Sequence, residues 1–397
     1  MAAAKPNAAI SIYAELLSNI RQVSVGVALP SPSDASTSAE IVDGGRRLRV
    51  RHQGHSEVLD LPATVTTSAV LAVPKVASAE QSWRLPVSPA EASATRFSPE
   101  DQAVPWNSTD IKVGSSICCR ECGSAVVQGG KIGSWKDLPS ENWAEMMEFW
   151  HCHKPHDHGE HEDEALANRG YGANSAITAR PGVGFVDITS FMFVESDCDG
   201  LLFSSSTGGT TFSTSSLAMG EASGKFLHVF CSSCNTEVGL YSRLAVSVTL
   251  FKWQVTCETV SPTRVPTGPE CLASTLLATI SQSGCAKSVI APHVSEKDNA
   301  STRVLYLWVL NPNVNYTSSA FEGRRAAMKI LYQEIGLDEW NRLTEPLTSD
   351  VQDINMPTKA IEAARDALKS SNMLLPERER FFKDWSTGLL ERWSLET

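Results

Sequence analysis

The chain has 397 residues, more than one average domain, and this length predicts two lobes or one large mixed domain. Hydrophobic residues make up 42% of the chain, which is enough for an ordinary buried core. The net charge is −11 and the basic residues are scattered. This argues against direct binding of nucleic acid, because phosphate contacts use clustered Lys and Arg. No stretch approaches the roughly 20 apolar residues that span a bilayer, so no membrane partner is expected.

The cellular setting is predicted from the N-terminus and the cysteines. Residues 1–6 lack the apolar segment of a secretory signal, which favours the cytoplasm and nucleus. In these compartments the ten cysteines are expected to be metal ligands and buried thiols rather than disulfides. The usual motifs for nucleotide phosphates, dinucleotides, serine hydrolases and zinc proteases do not occur in the sequence, so we expect no organic cofactor.

Residues 1–110 are predicted to form a β-rich N-terminal region. Apolar runs at 12–17 and 23–29 predict two strands. Further alternating runs on either side of Gly54 predict a hairpin. The basic run at 46–51 alternates with apolar residues, and we interpret it as the solvent-facing side of a strand rather than as a binding patch.

Residues 111–245 are predicted to form a metal-binding β region. Pro139 and Glu141 begin a predicted helix, which has Trp143 and Trp150 on one face. The other predicted elements of this region are strands at 185–194, 226–230 and 238–240 and a Ser/Thr/Gly-rich surface loop at 204–224.

Residues 246–397 are predicted to form a C-terminal α/β region. It is built on a strongly apolar strand at 304–310, which Asn311-Pro312 is expected to end. Helices are predicted at 326–335, 359–370 and 376–393. The predicted fold class is therefore α+β, with a β-rich N-terminal and central region around a metal site and a C-terminal α/β portion.

The strongest motif is a pair of Cys-x-x-Cys sequences, Cys119 with Cys122 and Cys231 with Cys234. Each turn points two sulfurs at one place, and two such turns supply the four sulfurs that zinc prefers. β-like runs precede both turns, which is typical of zinc-bearing hairpins, and the long gap between them suits two distant hairpins that share one ion. A four-thiolate site has no open position, so the zinc is expected to be structural. The alternative is that these cysteines are free thiols or a redox pair.

A second motif, Trp150-His151-Cys152-His153, follows the predicted helix. A thiol between two imidazoles can be held partly as thiolate, which would make Cys152 a nucleophile or a metal ligand. Alternatively, Cys152 and His153 complete an intramolecular zinc site or cap the helix.

Several motifs in a fixed order give the chain a resemblance to a known family. They are Cys119-x-x-Cys122-Gly123, Leu138-Pro139-Ser140-Glu141-Asn142-Trp143, Trp150-x-Cys152-His153, Cys231-x-x-Cys234, Leu307-Trp308-Val309-Leu310-Asn311-Pro312, Ala326-x-Met328-Lys329-x-Leu331-Tyr332, Phe382-x-x-Trp385 and Gly388-Leu389-Leu390. The chain resembles the HECT-like family of ubiquitin-conjugating-enzyme-binding proteins, which includes a fungal factor important for polyadenylation.

The resemblance implies two possible functions. In the first, the chain is an interaction or assembly factor for the metallo-endonuclease subunit of the pre-mRNA cleavage and polyadenylation machinery. Cys152 and His153 would then enter the partner's active site, and Trp143 and Trp150 would anchor the interface. In the second, the chain is a ubiquitin-protein ligase that binds a ubiquitin-conjugating enzyme and transfers ubiquitin through Cys152. We favour the interaction factor and leave enzymatic activity open.

Overall fold

The computed structural model describes residues 10–66, 70–89, 104–138, 178–205, 226–292, 303–344 and 350–394. These residues divide into two compact units. Unit 1 contains the described residues up to 89 together with 285–292 and 303–394, and unit 2 contains those from 104 to 284. Strands β1–β23 are numbered along the chain, and the described α-helices are α1 (Gly268–Ser283), α2 (Leu337–Thr344) and α3 (Thr358–Asn372).

Unit 1 is built on a nine-stranded sheet. Its strands within the described residues are β1 (Ser11–Leu17), β2 (Gln22–Ala28), β7 (Glu80–Pro86), β18 (Lys287–Pro292), β19 (Arg303–Ser318), β20 (Arg325–Gly336), β21 (Val351–Met356), β22 (Phe381–Phe382) and β23 (Trp385–Glu391). The order is β22-β23-β20-β19-β1-β2-β7, and β18 and β21 continue the sheet beside β19. All pairs are antiparallel except β18 with β21, which is parallel.

A smaller sheet covers one face of the N-terminal strands. Its strands are β3 (Ser38–Val42), β4 (Arg47–His52), β5 (His55–Asp60) and β6 (Val70–Leu71), in the order β5-β4-β3-β6. Leu48 and Val50 of β4 point into a core shared with β1 and β2, whereas Arg47 and Arg51 are exposed. The predicted hairpin and the solvent-facing basic strand are therefore confirmed.

The C-terminal segments differ from the prediction. Residues 326–335 form strand β20 rather than a helix, and 376–393 form a turn followed by β22 and β23. Strand β20 lies between β19 and β23, and its consecutive residues Ala327 and Met328 are both fully buried. A strand covered on both faces shows no polar alternation, so its sequence is easily mistaken for a helix.

The predicted C-terminal α/β portion is not confirmed. Its strands join β1, β2 and β7 in one largely antiparallel sheet, through the pairing of Tyr13 with Ser318. Strand β19 does not end at Asn311-Pro312, because bulges between Val309 and Val314 carry the strand past the proline. The predicted helix at 359–370 is confirmed as α3.

A buried charge network lies on the other face of the nine-stranded sheet. The Lys329 ammonium is 3.1 Å from both Glu15 carboxylate oxygens and 2.8 Å from Glu379 Oε2. The Tyr13 hydroxyl also donates to Glu15, at 2.7 Å. Burial alone would lower the pKa of Lys329, but the two carboxylates raise it above its ordinary value overall, so the lysine stays charged.

Unit 2 contains two sheets around one core. The seven-stranded sheet has the order β10-β11-β12-β16-β15-β14-β13, and a three-stranded sheet has the order β17-β8-β9. Their strands are β8 (Ile117–Cys119), β9 (Ala125–Val127), β10 (Ser134–Asp137), β11 (Val183–Val186), β12 (Ser190–Val194), β13 (Leu201–Ser204), β14 (Phe226–Cys231), β15 (Glu237–Ser242), β16 (Ser247–Phe251) and β17 (Val255–Thr256). Both sheets contribute to a core that includes Cys119 and Cys231.

One lysine is fully buried in unit 2. Lys252 donates a hydrogen bond to the carbonyl oxygen of Pro105, and its ammonium lies 5.6 Å from the centre of the Phe191 ring. The loss of solvation lowers the pKa of Lys252 from 10.5 to about 8. Among the described helices of both units, none is long and apolar enough to cross a bilayer.

Candidate metal centre

The four predicted metal ligands lie in the turns of two hairpins. Cys119 ends β8 and Cys122 lies in the turn before β9, whereas Cys231 ends β14 and Cys234 lies in the turn before β15. Both Cys-x-x-Cys turns thus begin at the last residue of a strand. The long sequence separation is spanned because each hairpin belongs to a different sheet of the same core.

The two turns have the same hydrogen-bond pattern. The carbonyl oxygen of the first cysteine accepts from the fifth residue, from Gly123 N–H at 2.9 Å in one turn and from Asn235 N–H at 2.8 Å in the other. That fifth residue is left-handed in both turns, with φ of 74° at Gly123 and 57° at Asn235. Glycine and asparagine are the residues that adopt this conformation at low cost. The local sequence therefore dictates both metal-binding turns.

The sulfur positions fit a tetrahedral ion. The four Sγ atoms lie within 4.8 Å of one another. Two of the separations, Cys119 to Cys234 and Cys122 to Cys231, are both 3.7 Å. A zinc–sulfur bond of about 2.3 Å implies tetrahedral sulfur separations of about 3.8 Å, whereas a disulfide requires about 2.05 Å. The four cysteines are free thiols, and their arrangement can hold one metal ion.

The ligands differ in environment. Cys119 and Cys231 are fully buried, whereas Cys122 is exposed. Burial raises the pKa of Cys119 to about 12 and also raises that of Cys231. Hydrogen bonds from the Ser124 hydroxyl and backbone N–H lower the pKa of Cys122 to about 6. Metal binding must therefore displace protons from the buried pair, which makes the affinity for metal depend on pH.

Backbone contacts from a third segment link the two hairpins. Asp199 N–H donates to the Val126 carbonyl at 2.9 Å, and Ser232 N–H donates to the Gly200 carbonyl at 2.8 Å. Arg120 reaches the turn between β16 and β17, where its guanidinium donates to the Trp253 carbonyl at 3.2 Å. The sequence did not predict these supports, because hydrogen bonds to the backbone of distant segments leave no residue pattern.

The other predicted site residues lie outside the described residues. Trp143, Trp150, Cys152 and His153 all belong to the range 139–177, so their roles stay predictions.

Three further thiols of unit 2 have little nucleophilic character. Burial raises the pKa of Cys257 to about 12 and that of Cys271 to about 12, and it also raises the pKa of Cys198. Near neutral pH these thiols stay protonated, and the thiolate is the reactive form.

Comparison with known proteins identifies the family. The profile of the HECT-like ubiquitin-conjugating enzyme (E2)-binding family matches residues 15–387, a range that contains all four clustered cysteines. The chain belongs to this family. The resemblance inferred from the ordered motifs is therefore confirmed.

Two yeast relatives are similar over most of their length. An uncharacterized protein of Schizosaccharomyces pombe, C1734.10c, is 26% identical over 306 residues, which cover 73% of this chain and 78% of the relative. An uncharacterized protein of Saccharomyces cerevisiae, YJR141W, is 23% identical over 284 residues, which cover 71% of each chain. No solved structure gives a significant match.

Proposed function

We propose that this chain is a zinc-stabilised interaction protein that binds a ubiquitin-conjugating enzyme. The observation that carries the proposal is the family match, which runs from residue 15 to residue 387 and so covers most of both units. The metal centre supports a binding role, because four thiolates leave zinc no open position for a substrate or an activated water. In this proposal the ion holds the two hairpins together, and the partner binds the folded surface.

The direct test is a binding measurement with purified conjugating enzymes. A panel of them is titrated into the zinc-loaded full chain by isothermal titration calorimetry. We expect at least one to bind in the micromolar range or tighter, and the Cys231→Ser variant to lose this binding together with its metal. If the folded, zinc-loaded chain binds no member of the panel, the proposal is wrong.

Ubiquitin transfer through Cys152 is the alternative within the same family. The raised pKa values of Cys198, Cys257 and Cys271 make those thiols unsuitable as acceptors. A conjugating enzyme charged with ubiquitin is therefore mixed with wild type and with Cys152→Ser. Under the binding proposal neither chain forms a reducible ubiquitin adduct. An adduct on wild type that Cys152→Ser lacks or holds as a stable ester would establish transfer.

Binding to the cleavage and polyadenylation endonuclease is a second candidate. The sequence feature that favours it is Cys152 beside His153, because a thiolate can coordinate an exposed zinc of a partner enzyme. Affinity purification of the tagged chain from native extract, with identification of its partners, tests this candidate. Recovery of cleavage-factor subunits that Cys152→Ser reduces would support it, and recovery of ubiquitin enzymes without these subunits would contradict it.

A further inference from the structure

A polar cavity in unit 1 is separate from the metal ligands. It has a volume of about 280 Å³ and is lined by Ser24, Ser82, Trp83, Arg84, Arg378 and Glu379. Ser24 belongs to β2, and the three residues from Ser82 to Arg84 belong to β7. Arg378 and Glu379 belong to the turn that follows α3. Because a liquid water occupies about 30 Å³, the cavity has room for a tetrahedral anion and several waters.

Ser24 and Ser82 lie on the face of the sheet that lines this cavity. Ser24 pairs with Arg84 and Gly26 pairs with Ser82 across β2 and β7, so these side-chain positions share one face of the sheet. At Gly26, a Cβ atom would lie 2.4 Å from Pro376 Cγ. The glycine therefore allows the turn to approach the sheet closely, and this approach brings Arg378 to the same cavity as Arg84.

The two arginines carry charge that the nearby groups leave unpaired. Arg84 and Arg378 are both exposed, and neither forms an ion pair with another residue of the described ranges. The carboxylate at the cavity, Glu379, binds the Lys329 ammonium at 2.8 Å. Two guanidinium groups and two serine hydroxyls thus line one opening without a carboxylate partner of their own.

We propose that this cavity binds a phosphate monoester. Guanidinium groups match the oxygens of phosphate and carboxylate in paired hydrogen bonds. A phosphate monoester carries a charge of about −1.5 to −2 near pH 7, which balances two arginines better than a single carboxylate does. The Ser24 and Ser82 hydroxyls supply further donors for the third oxygen. Phosphate binding at this cavity requires neither the metal nor a ubiquitin enzyme.

The test uses the full zinc-loaded chain and three probes: inorganic phosphate, a phosphoserine peptide and adenosine monophosphate. Affinities are measured by calorimetry in a phosphate-free buffer for wild type, Arg84→Gln and Arg378→Gln. The matched control is Arg365→Gln, which removes the same charge on α3. Each cavity variant is expected to weaken binding by about tenfold or more, because it removes a charge-assisted hydrogen bond. The control is expected to bind as wild type does.

The probes distinguish the source of the phosphate. Tightest binding of the peptide indicates a phosphorylated protein, and tightest binding of the nucleotide indicates a phosphorylated metabolite. If inorganic phosphate binds as tightly as both esters or more tightly, the monoester proposal is wrong. A wild-type chain that binds none of the probes overturns the proposal. Equal weakening in the two cavity variants and in Arg365→Gln also overturns it, because the attraction would then be to net charge. Arg378→Lys keeps the charge but loses the paired donors, so it should bind weakly and provides a second check if Arg84→Gln does not fold.

Discussion

The two units close their structures in different ways. Unit 1 joins its first strand, β1, to β19, about 300 residues later in the chain, by backbone pairing from Tyr13 with Ser318 to Leu16 with Asn315. Unit 2 brings together two hairpins whose four sulfurs can share one ion. A sheet spreads its stability over many hydrogen bonds, whereas a metal centre concentrates it in four ligands. Single substitutions should therefore affect the stability of the two units differently.

The largest effect is expected from Cys231→Ser. Binding of a structural zinc contributes roughly 10 kcal/mol or more of folding free energy in small zinc domains. Loss of one buried ligand should therefore unfold unit 2, with loss of hydrogen-exchange protection in β8, β9, β14 and β15 and continued protection in β1, β2 and β19. The control is Cys118→Ser, since Cys118 neighbours the site but is not one of the clustered thiols. A folded Cys231→Ser chain with unchanged metal content would contradict the structural role.

The next largest effect is expected in unit 1, from Lys329→Met. This substitution leaves the buried carboxylate of Glu15 without its cation. Breaking a buried ion pair on one side costs about 3–5 kcal/mol, which denaturant unfolding of unit 1 would measure. Lys369→Met removes an exposed pair with Glu334 and should cost less than about 1 kcal/mol. If the two substitutions lower the free energy of unfolding by the same amount, the buried charge network does not contribute to the stability of unit 1.

A smaller, pH-dependent effect is expected from Lys252→Met in unit 2. Because burial lowers the pKa of Lys252 from 10.5 to about 8, the unfolded chain holds this proton between these pH values while the folded chain does not. The contribution of Lys252 to the free energy of unfolding therefore rises with pH through that window, by roughly 3 kcal/mol. The difference in free energy of unfolding between wild type and Lys252→Met, measured as a function of pH, should show this rise.

The control for this pH effect is Lys112→Met, because Lys112 is an exposed lysine paired with Glu258. The difference in free energy of unfolding between wild type and Lys112→Met should not rise between the same pH values. If the difference for Lys252→Met does not change with pH either, Lys252 is solvated in the folded chain.

The smallest effect is expected at the turn residue Asn235. Asn235 has a φ of 57°, and asparagine tolerates this left-handed conformation better than alanine does, so Asn235→Ala is expected to cost about 1 kcal/mol. Asn235→Gly should leave thermal stability and zinc affinity nearly unchanged, as Gly123 occupies the equivalent position of the other turn. If alanine and glycine at this position behave alike, the left-handed conformation does not matter for the metal centre.

The metal centre was largely predictable, because its chemistry is local. Each Cys-x-x-Cys turn contains its own left-handed residue. Five consecutive residues, Cys119 to Gly123 or Cys231 to Asn235, are therefore enough to predict each turn. The hairpin around Gly54 was predictable for the same reason. The division into residues 1–110, 111–245 and 246–397 stays a prediction.

The nine-stranded sheet was only partly predictable. The pairing of β1 with β19 joins residues about 300 apart, and no local pattern encodes such a partner. Helix α1 was missed although its N-terminus carries a capping box of Thr267 and Glu270. Its many buried residues gave no clear polar face, so the usual helical periodicity was weak.

The pairing of β1 with β19 also sets an order of events during synthesis. The described part of unit 2 is one stretch of sequence, from 104 to 284, whereas unit 1 needs strands from both sides of it. On the ribosome, unit 2 can acquire its ion and fold while β1 still lacks its partner β19. Strand β1 can pair with β2 early, but its other edge has no partner until β19 is made, and a nascent chain at this stage presents that open edge to the cell's chaperones.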